Sequence, residues 1–300
     1  MPFDPLYKAF INISTTLRYK DIFTLGSDTS QTNTSQDIQK NIDILANTEI
    51  IKAISVIEGI IGYISEEEEK LVLFNKDAKE GQIVIFDPLD GSKNVFSDIT
   101  VGTIYGIYNY NVEKDTIIDI VETGYSIYGP STLLVRSINN EKVSIFSLNS
   151  NNEFDYVSDL STSEKNAIYS INMSYDYEKD IHYFVNEMKK DGCTQRWCGA
   201  MVADAHQVLM RGGTFIYPKT SKNPKGKIRY LYEALPFAHL FTLLGGAAVD
   251  LNIAPIVTRF KHIKLNKGAK IHGEIPIILS TFYSSETLKN IFEINDIIKC

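Results

Sequence analysis

The sequence has few cysteines, no excess of basic residues and no long hydrophobic run. Its three cysteines, Cys193, Cys198 and Cys300, lack the spacing of a zinc site and are too few for a disulfide framework. The formal net charge of −7 argues against a nucleic-acid-binding protein, because such proteins carry a basic stripe. The longest apolar stretch is interrupted by Lys52 and Glu58, so we expect no membrane span.

The N-terminal residues, MPFDPLYKAF, have neither the basic start nor the apolar run of a signal peptide. Together with the sparse cysteines, this predicts free thiols and a cytoplasmic location. The acidic balance does not exclude anionic ligands, because a site can be locally positive on an acidic protein.

The hydrophobic pattern changes near residue 160. Helical spacing at the start of the chain gives way to strand-like segments, which continue to AIYSINM at residues 167–173 and indicate an antiparallel meander. After it, helices and strands alternate. We therefore expect an α/β protein with two intimately packed halves, residues 1–160 and 161–300.

A polar segment, GSDTSQTNTSQ at residues 26–36, interrupts the helical part. It has too little apolar surface to offset the entropy lost on ordering, so we predict a mobile loop. The segment is either a plain surface linker or a lid over a site.

Five acidic residues suggest chemistry, namely Asp43, Glu66, Glu67, Asp87 and Asp90. The last two lie in FDPLDGSKN, directly after an apolar segment that predicts a strand buried on both faces. Converging carboxylates repel one another unless a hard cation separates them, and oxygen-only clusters suit magnesium or manganese. The Gly-Ser turn that follows leaves backbone N–H groups free for a phosphate oxygen.

The same residues also have simpler interpretations. The acidic run after Ser65 fits a solvated surface, and the aspartates around Pro88 fit an ordinary turn. The residues alone therefore indicate a carboxylate-rich phosphate site, dependent on metal, and leave these alternatives open.

FDPLDGSKN followed by VGTIYGIY resembles the signature of class I fructose-1,6-bisphosphatases and their sedoheptulose-1,7-bisphosphatase relatives, within the inositol monophosphatase superfamily. The resemblance extends over most of the chain, through SQDIQKNIDILAN, YISEEEE, AIYSINMSYDY, RWCGAMVADAHQVLMRGGTFIYP and GKIRYLYEALP. It implies a layered α-β-α-β-α sandwich of the sugar bisphosphatase type. It also implies magnesium-dependent hydrolysis of the 1-phosphate of fructose 1,6-bisphosphate to fructose 6-phosphate and phosphate.

The resemblance assigns roles around the cleaved phosphate. It implies two or three Mg²⁺ or Mn²⁺ ions per site. The matching metal positions are Asp37, Glu66, Asp87, the backbone carbonyl of Leu89, Asp90 and Glu233. Asp43 and Glu67 match the pair that activates the attacking water, and Gly91, Ser92 and Lys93 match the turn that holds the phosphate.

The resemblance also assigns residues to the rest of the substrate. The distal phosphate contacts are matched by Asn172, Tyr175, Tyr217 and Lys227, and the sugar contacts by Met201 and Arg229. Arg196 matches an arginine that reaches into the neighbouring subunit's site, which implies a homo-oligomer, a dimer or a tetramer.

Several positions depart from the family pattern. Trp197 stands where a tyrosine is usual, and an indole cannot reproduce the hydrogen bond of a phenol, so the distal pocket is expected to differ. Lys93 replaces a second serine, and its side chain either faces solvent or adds a cation near the phosphate. Ligands for the inhibitor AMP are also missing, with Gln82 and Asn109 among the replacements, so we expect AMP to inhibit weakly or not at all.

The resemblance leaves the sugar open. Sedoheptulose-1,7-bisphosphatase activity or dual specificity is the alternative to the fructose enzyme. An inositol-type phosphatase is less expected, because the residues that match a second phosphate site are present. A non-enzymatic sugar-phosphate sensor is disfavoured because every matched ligand and base is present.

Overall fold

The structure, a computed structural model, describes residues 3–32, 38–161, 167–172, 176–250, 254–257, 264–265, 271–283 and 287–292. Asp37, Tyr175 and Cys300 lie outside these ranges, together with the predictions made for them. Cys193 is buried and Cys198 is half-buried. Within the described ranges, no helix is both long and apolar enough to cross a membrane.

The chain begins with two long helices and a small hairpin. The elements are α1 (Asp4–Tyr19), α2 (Ile22–Leu25), β1 (Asp28–Thr32), β2 (Ile38–Lys40) and α3 (Asn41–Ile54). Apolar residues at helical spacing bury one face of α1, as the sequence predicts.

The prediction of a mobile loop over residues 26–36 is wrong for residues 28–32. These residues form β1, which pairs antiparallel with β2. Strand pairing uses backbone groups, and these are present whatever the side chains, so a polar composition does not exclude it. Threonine also favours extended backbone. Residues 33–36 lie outside the described ranges.

An eight-stranded sheet follows. Its strands are β3 (Ile60–Ser65), β4 (Val72–Leu73), β5 (Glu80–Asp90), β6 (Val101–Asn111), β7 (Thr116–Tyr128), β8 (Thr132–Ile138), β9 (Ser144–Leu148) and β10 (Phe154–Asp159). The strand order is β10-β9-β8-β7-β6-β5-β3-β4, and only β3 and β5 are parallel neighbours. The run from β5 to β10 is therefore an antiparallel meander, as the sequence predicts for this part of the chain. The prediction is wrong for residues 167–173, because Ile168–Ser170 lies in a different sheet and pairs in parallel with its neighbours there.

The remaining elements alternate between helix and strand. They are β11 (Ile168–Ser170), α4 (Lys179–Lys190), β12 (Thr194–Gln195), α5 (Met201–Arg211), β13 (Gly213–Tyr217), β14 (Ile228–Arg229), a π-helix (Tyr230–Ala234), α6 (Leu235–Leu243), β15 (Ala247–Val249), β16 (Glu274–Ile275) and β17 (Ile277–Ser280). Five of these strands form a second sheet in the order β12-β11-β13-β17-β15, while β14 pairs with β16. Residues 287–292 are helical.

The buried side chains show how these elements stack. One core lies between the large sheet and the pair α1 and α3. A second core lies between the other face of that sheet, α5, α6 and the second sheet. A third packs α4 on the far side of the second sheet. The layers therefore run α-β-α-β-α, which confirms the predicted fold. The division of the chain near residue 160 stays a prediction.

A polar cluster fastens α1 to the large sheet. Glu122, fully buried on β7, accepts hydrogen bonds from the hydroxyls of Tyr7 at 2.7 Å and Tyr105 at 2.5 Å. The Arg136 guanidinium lies 3.4 Å from the same carboxylate and 4.8 Å from the centroid of the Tyr7 ring. A buried carboxylate is tolerated here because its oxygens have partners.

We expect Glu122→Ala to lower the free energy of unfolding by about 3–5 kcal/mol, because it leaves the Arg136 guanidinium buried without its counter-ion. Urea denaturation would measure the loss. The exposed pair Lys142–Asp159 provides the control, and Lys142→Ala should cause no measurable change. A loss below about 1 kcal/mol in Glu122→Ala would show that the cluster is not a stabilising attachment.

Candidate functional site

A β-bulge brings Asp87 and Asp90 to the same side of β5. From Asp87 to Asp90 the chain advances three residues, while the facing strand β6 advances only two. In a regular strand, residues three apart point to opposite faces, and one extra residue cancels that alternation. Pro88 lies inside the bulge, and its carbonyl accepts a hydrogen bond from the Thr103 hydroxyl at 2.9 Å.

Parallel pairing places the glutamates beside these aspartates. Ser65, at the end of β3, lies opposite Phe86, and the amide of Glu66 donates to the Phe86 carbonyl at 3.1 Å. The carboxyl ends of parallel strands meet at one edge of a sheet, so Glu66 and Glu67 follow β3 at the level where the bulge of β5 begins at Asp87. Both glutamates line the same cavity as the aspartates.

Asp43 approaches from the first turn of α3. Its carboxylate accepts the backbone N–H of Lys40 at 2.7 Å, which caps the helix, and it also hydrogen-bonds to Ser92. Burial raises the pKa of Asp43 to about 6, although these hydrogen bonds and the nearby Lys40 charge oppose the rise. The helix cap thereby holds a proton-accepting group against the turn that follows Asp90.

Glu233 comes from the C-terminal part of the chain. It lies on the π-helix, and the backbone N–H of Arg229 donates to its carboxylate. The Arg229 side chain bridges to Glu274 at 3.0 Å and to the carbonyl of His272 at 3.2 Å. A π-helical turn is wider than an α-helical one and is frequent at functional sites.

Three carboxylates converge closely enough to share a cation. Oxygens of Asp87, Asp90 and Glu233 all lie within 4.8 Å of one another. Glu66 is outside this triple but faces the same cavity. The donor set contains only oxygen, which fits a hard divalent cation such as magnesium or manganese.

The electrostatics of the cavity support the same interpretation. It measures about 160 Å³ and is lined by six carboxylates, of Asp43, Glu66, Glu67, Asp87, Asp90 and Glu233, and by three basic side chains, of Lys93, Lys227 and Arg229. Burial is the main cause that raises the pKa of Glu66 to about 8, and repulsion from the neighbouring carboxylates is the second. Burial raises the pKa of Asp90 to about 7, and the pKa values of Asp87 and Glu233 also lie well above their usual range.

A tight turn completes this cavity. Gly91 adopts φ +81°, and a Cβ built on it would lie 2.4 Å from the Cβ of Ala200, so only glycine fits. A 3₁₀ helix, Ser92–Ser97, begins directly after it. Ser92 and Lys93 both line the cavity, although Lys93 is largely exposed. Lys93 therefore borders the carboxylate cavity.

A second cavity of about 220 Å³ adjoins the first. Its lining includes the predicted substrate residues Asn172, Trp197, Met201, Tyr217 and Lys227. Asp90, Gly199, Lys227 and Glu233 line both cavities. The predicted substrate residues of the C-terminal half therefore lie directly beside the carboxylate cavity.

Some predicted residues are not brought into either cavity. Arg196 is exposed and lines neither of them. Asp37 and Tyr175 lie outside the described residues. A larger cavity of about 610 Å³ lies elsewhere, between α1 and the turn after β7. Among the described residues, its charged lining consists of Arg18 and Asp98, which do not form a carboxylate cluster.

Sequence reasoning missed the residues that support the carboxylates. Asn47 accepts from the Ser65 hydroxyl at 2.7 Å, and the same hydroxyl accepts the Glu67 amide at 3.2 Å. Asn47 follows Asp43 by one helical turn, a spacing that could have revealed it. His272 lies 2.9 Å from the Tyr232 hydroxyl, and no local pattern in the sequence indicates this contact.

Comparisons with known proteins agree with this geometry. The family described as "Fructose-1-6-bisphosphatase, N-terminal domain" matches residues 3–159, and "Fructose-1-6-bisphosphatase, C-terminal domain" matches residues 162–268. The chain is 34% identical to fructose-1,6-bisphosphatase 1 of Mus musculus, over 94% of this chain and 85% of the mouse protein. It is 36% identical to the class 1 enzyme of Sulfurihydrogenibium sp. (strain YO3AOP1), over 86% of this chain and 80% of that protein.

A solved structure is also similar. The crystal structure of Leishmania major fructose-1,6-bisphosphatase in holo form has a TM-score of 0.83 and 25% sequence identity. The alignment covers 96% of this chain and 92% of that chain.

The raised pKa values predict how the metal-free protein responds to pH. Asp43, Asp90 and Glu66 have folded-state pKa values of about 6, 7 and 8, above the usual range of carboxyl groups in unfolded chains. The folded state therefore holds protons that the unfolded state has released. We expect the free energy of unfolding to fall as pH rises from about 5 to 8.5, by about 1.4 kcal/mol per pH unit for each retained proton.

Chemical denaturation with a chelator present would measure this slope. A divalent cation should flatten it by binding the ionised carboxylates, and Asp90→Asn should reduce it. Glu58→Gln, on an exposed residue, is the control and should leave the slope unchanged. Stability independent of pH without metal would contradict the assignment of these carboxylates to one repelling cluster.

Proposed function

The chain belongs to the fructose-1,6-bisphosphatase family, and from this we propose which of its residues perform the reaction. As a member, it is a metal-dependent phosphatase that hydrolyses the 1-phosphate ester of fructose 1,6-bisphosphate and releases fructose 6-phosphate and phosphate. The observation that carries the residue assignments is the convergence of Asp87, Asp90 and Glu233 beside the turn at Gly91.

Asp87, Asp90, Glu233 and Glu66 are proposed as the ligands of two or three divalent cations. Magnesium fits an all-oxygen donor set best, and manganese is the second candidate. Asp37 and the carbonyl of Leu89 complete the proposed set. When bound, such cations supply charge neutralisation for the phosphate and for the departing oxygen.

Asp43 and Glu67 are proposed to remove the proton of the attacking water. Both face the carboxylate cavity, and Asp43 is hydrogen-bonded to Ser92 in the turn where the phosphate would lie. A general base works best when its pKa is near the operating pH, and the pKa of Asp43, about 6, meets that condition.

The substrate would span the two cavities. The backbone N–H groups of Gly91, Ser92 and Lys93 are suited to hold the 1-phosphate, which is the phosphate that is hydrolysed, because a turn of this kind forms an anion-binding concavity. The distal phosphate would lie near Asn172, Tyr217 and Lys227, with Tyr175 as a further proposed contact. Met201 and Arg229 would contact the sugar, and Trp197 would narrow the distal pocket, since its ring lies 6.0 Å from that of Tyr217.

The oligomeric state and the compartment are further proposals. Arg196 is exposed and lines neither cavity of its own chain. We therefore propose that it reaches into the substrate site of a neighbouring subunit in a dimer or tetramer. The sparse cysteine content favours a cytoplasmic location.

Other substrates are less well supported. The adjoining distal cavity disfavours an inositol monophosphate, which has no second phosphate to occupy it. Nothing in the described residues favours sedoheptulose 1,7-bisphosphate over the fructose substrate.

We expect the purified chain to release phosphate from fructose 1,6-bisphosphate only when a divalent cation is present. Glu67→Gln should lower kcat by about 100-fold or more, because it removes a proton acceptor. A colorimetric phosphate assay with magnesium, with manganese and with a chelator would measure both effects.

Thermal denaturation of Glu67→Gln serves as the control, and its Tm with saturating magnesium should stay near that of the native chain. Sedoheptulose 1,7-bisphosphate and inositol monophosphate should be assayed in parallel. Faster turnover of either one than of the fructose substrate would overturn the substrate assignment.

Lys93 borders the carboxylate cavity, so we expect its positive charge to attract the substrate. Lys93→Ser should raise KM for fructose 1,6-bisphosphate roughly five-fold, as expected for about 1 kcal/mol from a solvent-screened charge. kcat should change little. Lys225→Ser, an exposed lysine absent from both cavity linings, is the control. An unchanged KM in Lys93→Ser would mean that only the backbone N–H of Lys93 matters.

A further inference from the structure

One loop connects the two cavities. Residues 196–202, here called the bridging loop, run from the end of β12 into the first turn of α5. Trp197 and Met201 of this loop line the distal cavity, and Gly199 lines both cavities. A group bound in the distal cavity would therefore touch the same loop that borders the cleavage cavity.

The bridging loop is attached to the cleavage cavity at three points. The side-chain amide of Asn94, in the 3₁₀ helix after the phosphate turn, donates to the Cys198 carbonyl at 3.1 Å. Gly91 packs against Ala200 so closely that no side chain would fit between them. The amide of Val202 donates to the carboxylate of Asp90 at 2.6 Å.

Asp204 holds the bridging loop in shape. Its two carboxylate oxygens accept the backbone N–H groups of Cys198 and Gly199, each at 3.0 Å. The carboxylate is fully buried, so water does not replace these bonds. Gly199 adopts φ +87°, a conformation that side-chain-bearing residues rarely take, and the paired hydrogen bonds fix it.

We propose that Asn94 and Asp204 are positioning residues through which a phosphate in the distal cavity aligns the cleavage cavity. Binding energy from a remote part of a substrate accelerates a reaction only when it improves the geometry at the reacting atoms. The bridging loop supplies the mechanical link, because its shape is fixed by Asp204 and its contact with the phosphate turn by Asn94. This inference rests on the proposed function, in particular on Lys227 as a contact of the distal phosphate.

A double-mutant cycle tests the coupling. The substrate is fructose 1,6-bisphosphate, and the four proteins are the native chain, Lys227→Ala, Asn94→Ala and the double variant. We expect Lys227→Ala to lower kcat about ten-fold in the native background, where the distal phosphate is coupled to the cleavage cavity. In the Asn94→Ala background the same change should lower kcat less than about three-fold while still raising KM.

Conservative substitutions separate the hydrogen bond from packing. Asn94→Asp keeps the size of the side chain but removes the N–H donor, so it should reproduce the kcat pattern of Asn94→Ala. Asp204→Asn retains one acceptor and should show the same pattern more weakly, provided that circular dichroism and Tm show a folded protein. Asn109→Ala removes an asparagine that donates to Asp119 away from both cavities and serves as the control, with native kcat and KM.

The outcomes distinguish the inference from the proposed function. If Lys227→Ala lowers kcat equally with and without Asn94, the cavities act independently and the inference is overturned while the substrate assignment stands. If Lys227→Ala changes neither kcat nor KM in the native background, both the distal-phosphate assignment and the inference fail. The effect of Lys227→Ala on kcat should be measured in the Asn109→Ala background as well. If Asn109→Ala weakened that effect as much as Asn94→Ala does, the coupling would not be specific to Asn94, and the inference would be overturned.

Discussion

Repulsion among buried carboxylates is the constraint on which the site depends. Asp87, Asp90 and Glu233 approach within 4.8 Å, and no folded chain holds such a group ionised without compensation. The fold brings them together through independent devices, a bulge in β5 and a π-helix before α6. Both devices are departures from regular secondary structure, so the site forms where the hydrogen-bond pattern of the strand and of the helix is irregular. A bound cation would offset the repulsion between the carboxylates.

The layered architecture explains why these departures are tolerated. β5 lies inside the large sheet, where its side chains pack with α1 and α3 on one face and with the π-helix and the start of α6 on the other. Packing on both faces holds the strand in place while its end bulges. The antiparallel meander supplies the rigid side of the site, and the bridging loop and the π-helix from the C-terminal part close over it. The residues that line the site thus come from elements distant in sequence.

Much of this could be predicted from the sequence. The apolar run before Asp87 reveals a buried strand, and the order of the motifs identifies the family and the layered fold. The polar segment after α2 shows the limit of such reasoning, because its composition suggests a loop while backbone pairing makes residues 28–32 a strand. Amino-acid composition describes only the side chains of a segment. Strand formation also depends on whether another extended segment lies close enough to pair with its backbone.

Supporting residues are harder to foresee for a related reason. Asn94 and Asp204 both hydrogen-bond to backbone groups of the bridging loop. Asn94 is far from this loop in sequence, whereas Asp204 follows it closely but contacts it only because the loop turns back. Neither residue belongs to a local pattern that signals chemistry, and only the three-dimensional packing of the bridging loop against the phosphate turn reveals them. The roles of the ligands and the base, in contrast, are suggested by motifs.

The π-helix makes the position of Glu233 depend on the number of residues in a single turn. A π-helical turn holds one residue more than the α-helical turn it replaces, and each residue of an α-helix turns the chain by about 100°. Deleting one residue from Tyr230–Ala234 would restore a regular helix and rotate Glu233 away from Asp87 and Asp90. An insertion or deletion within this short turn would therefore separate Glu233 from the other two carboxylates.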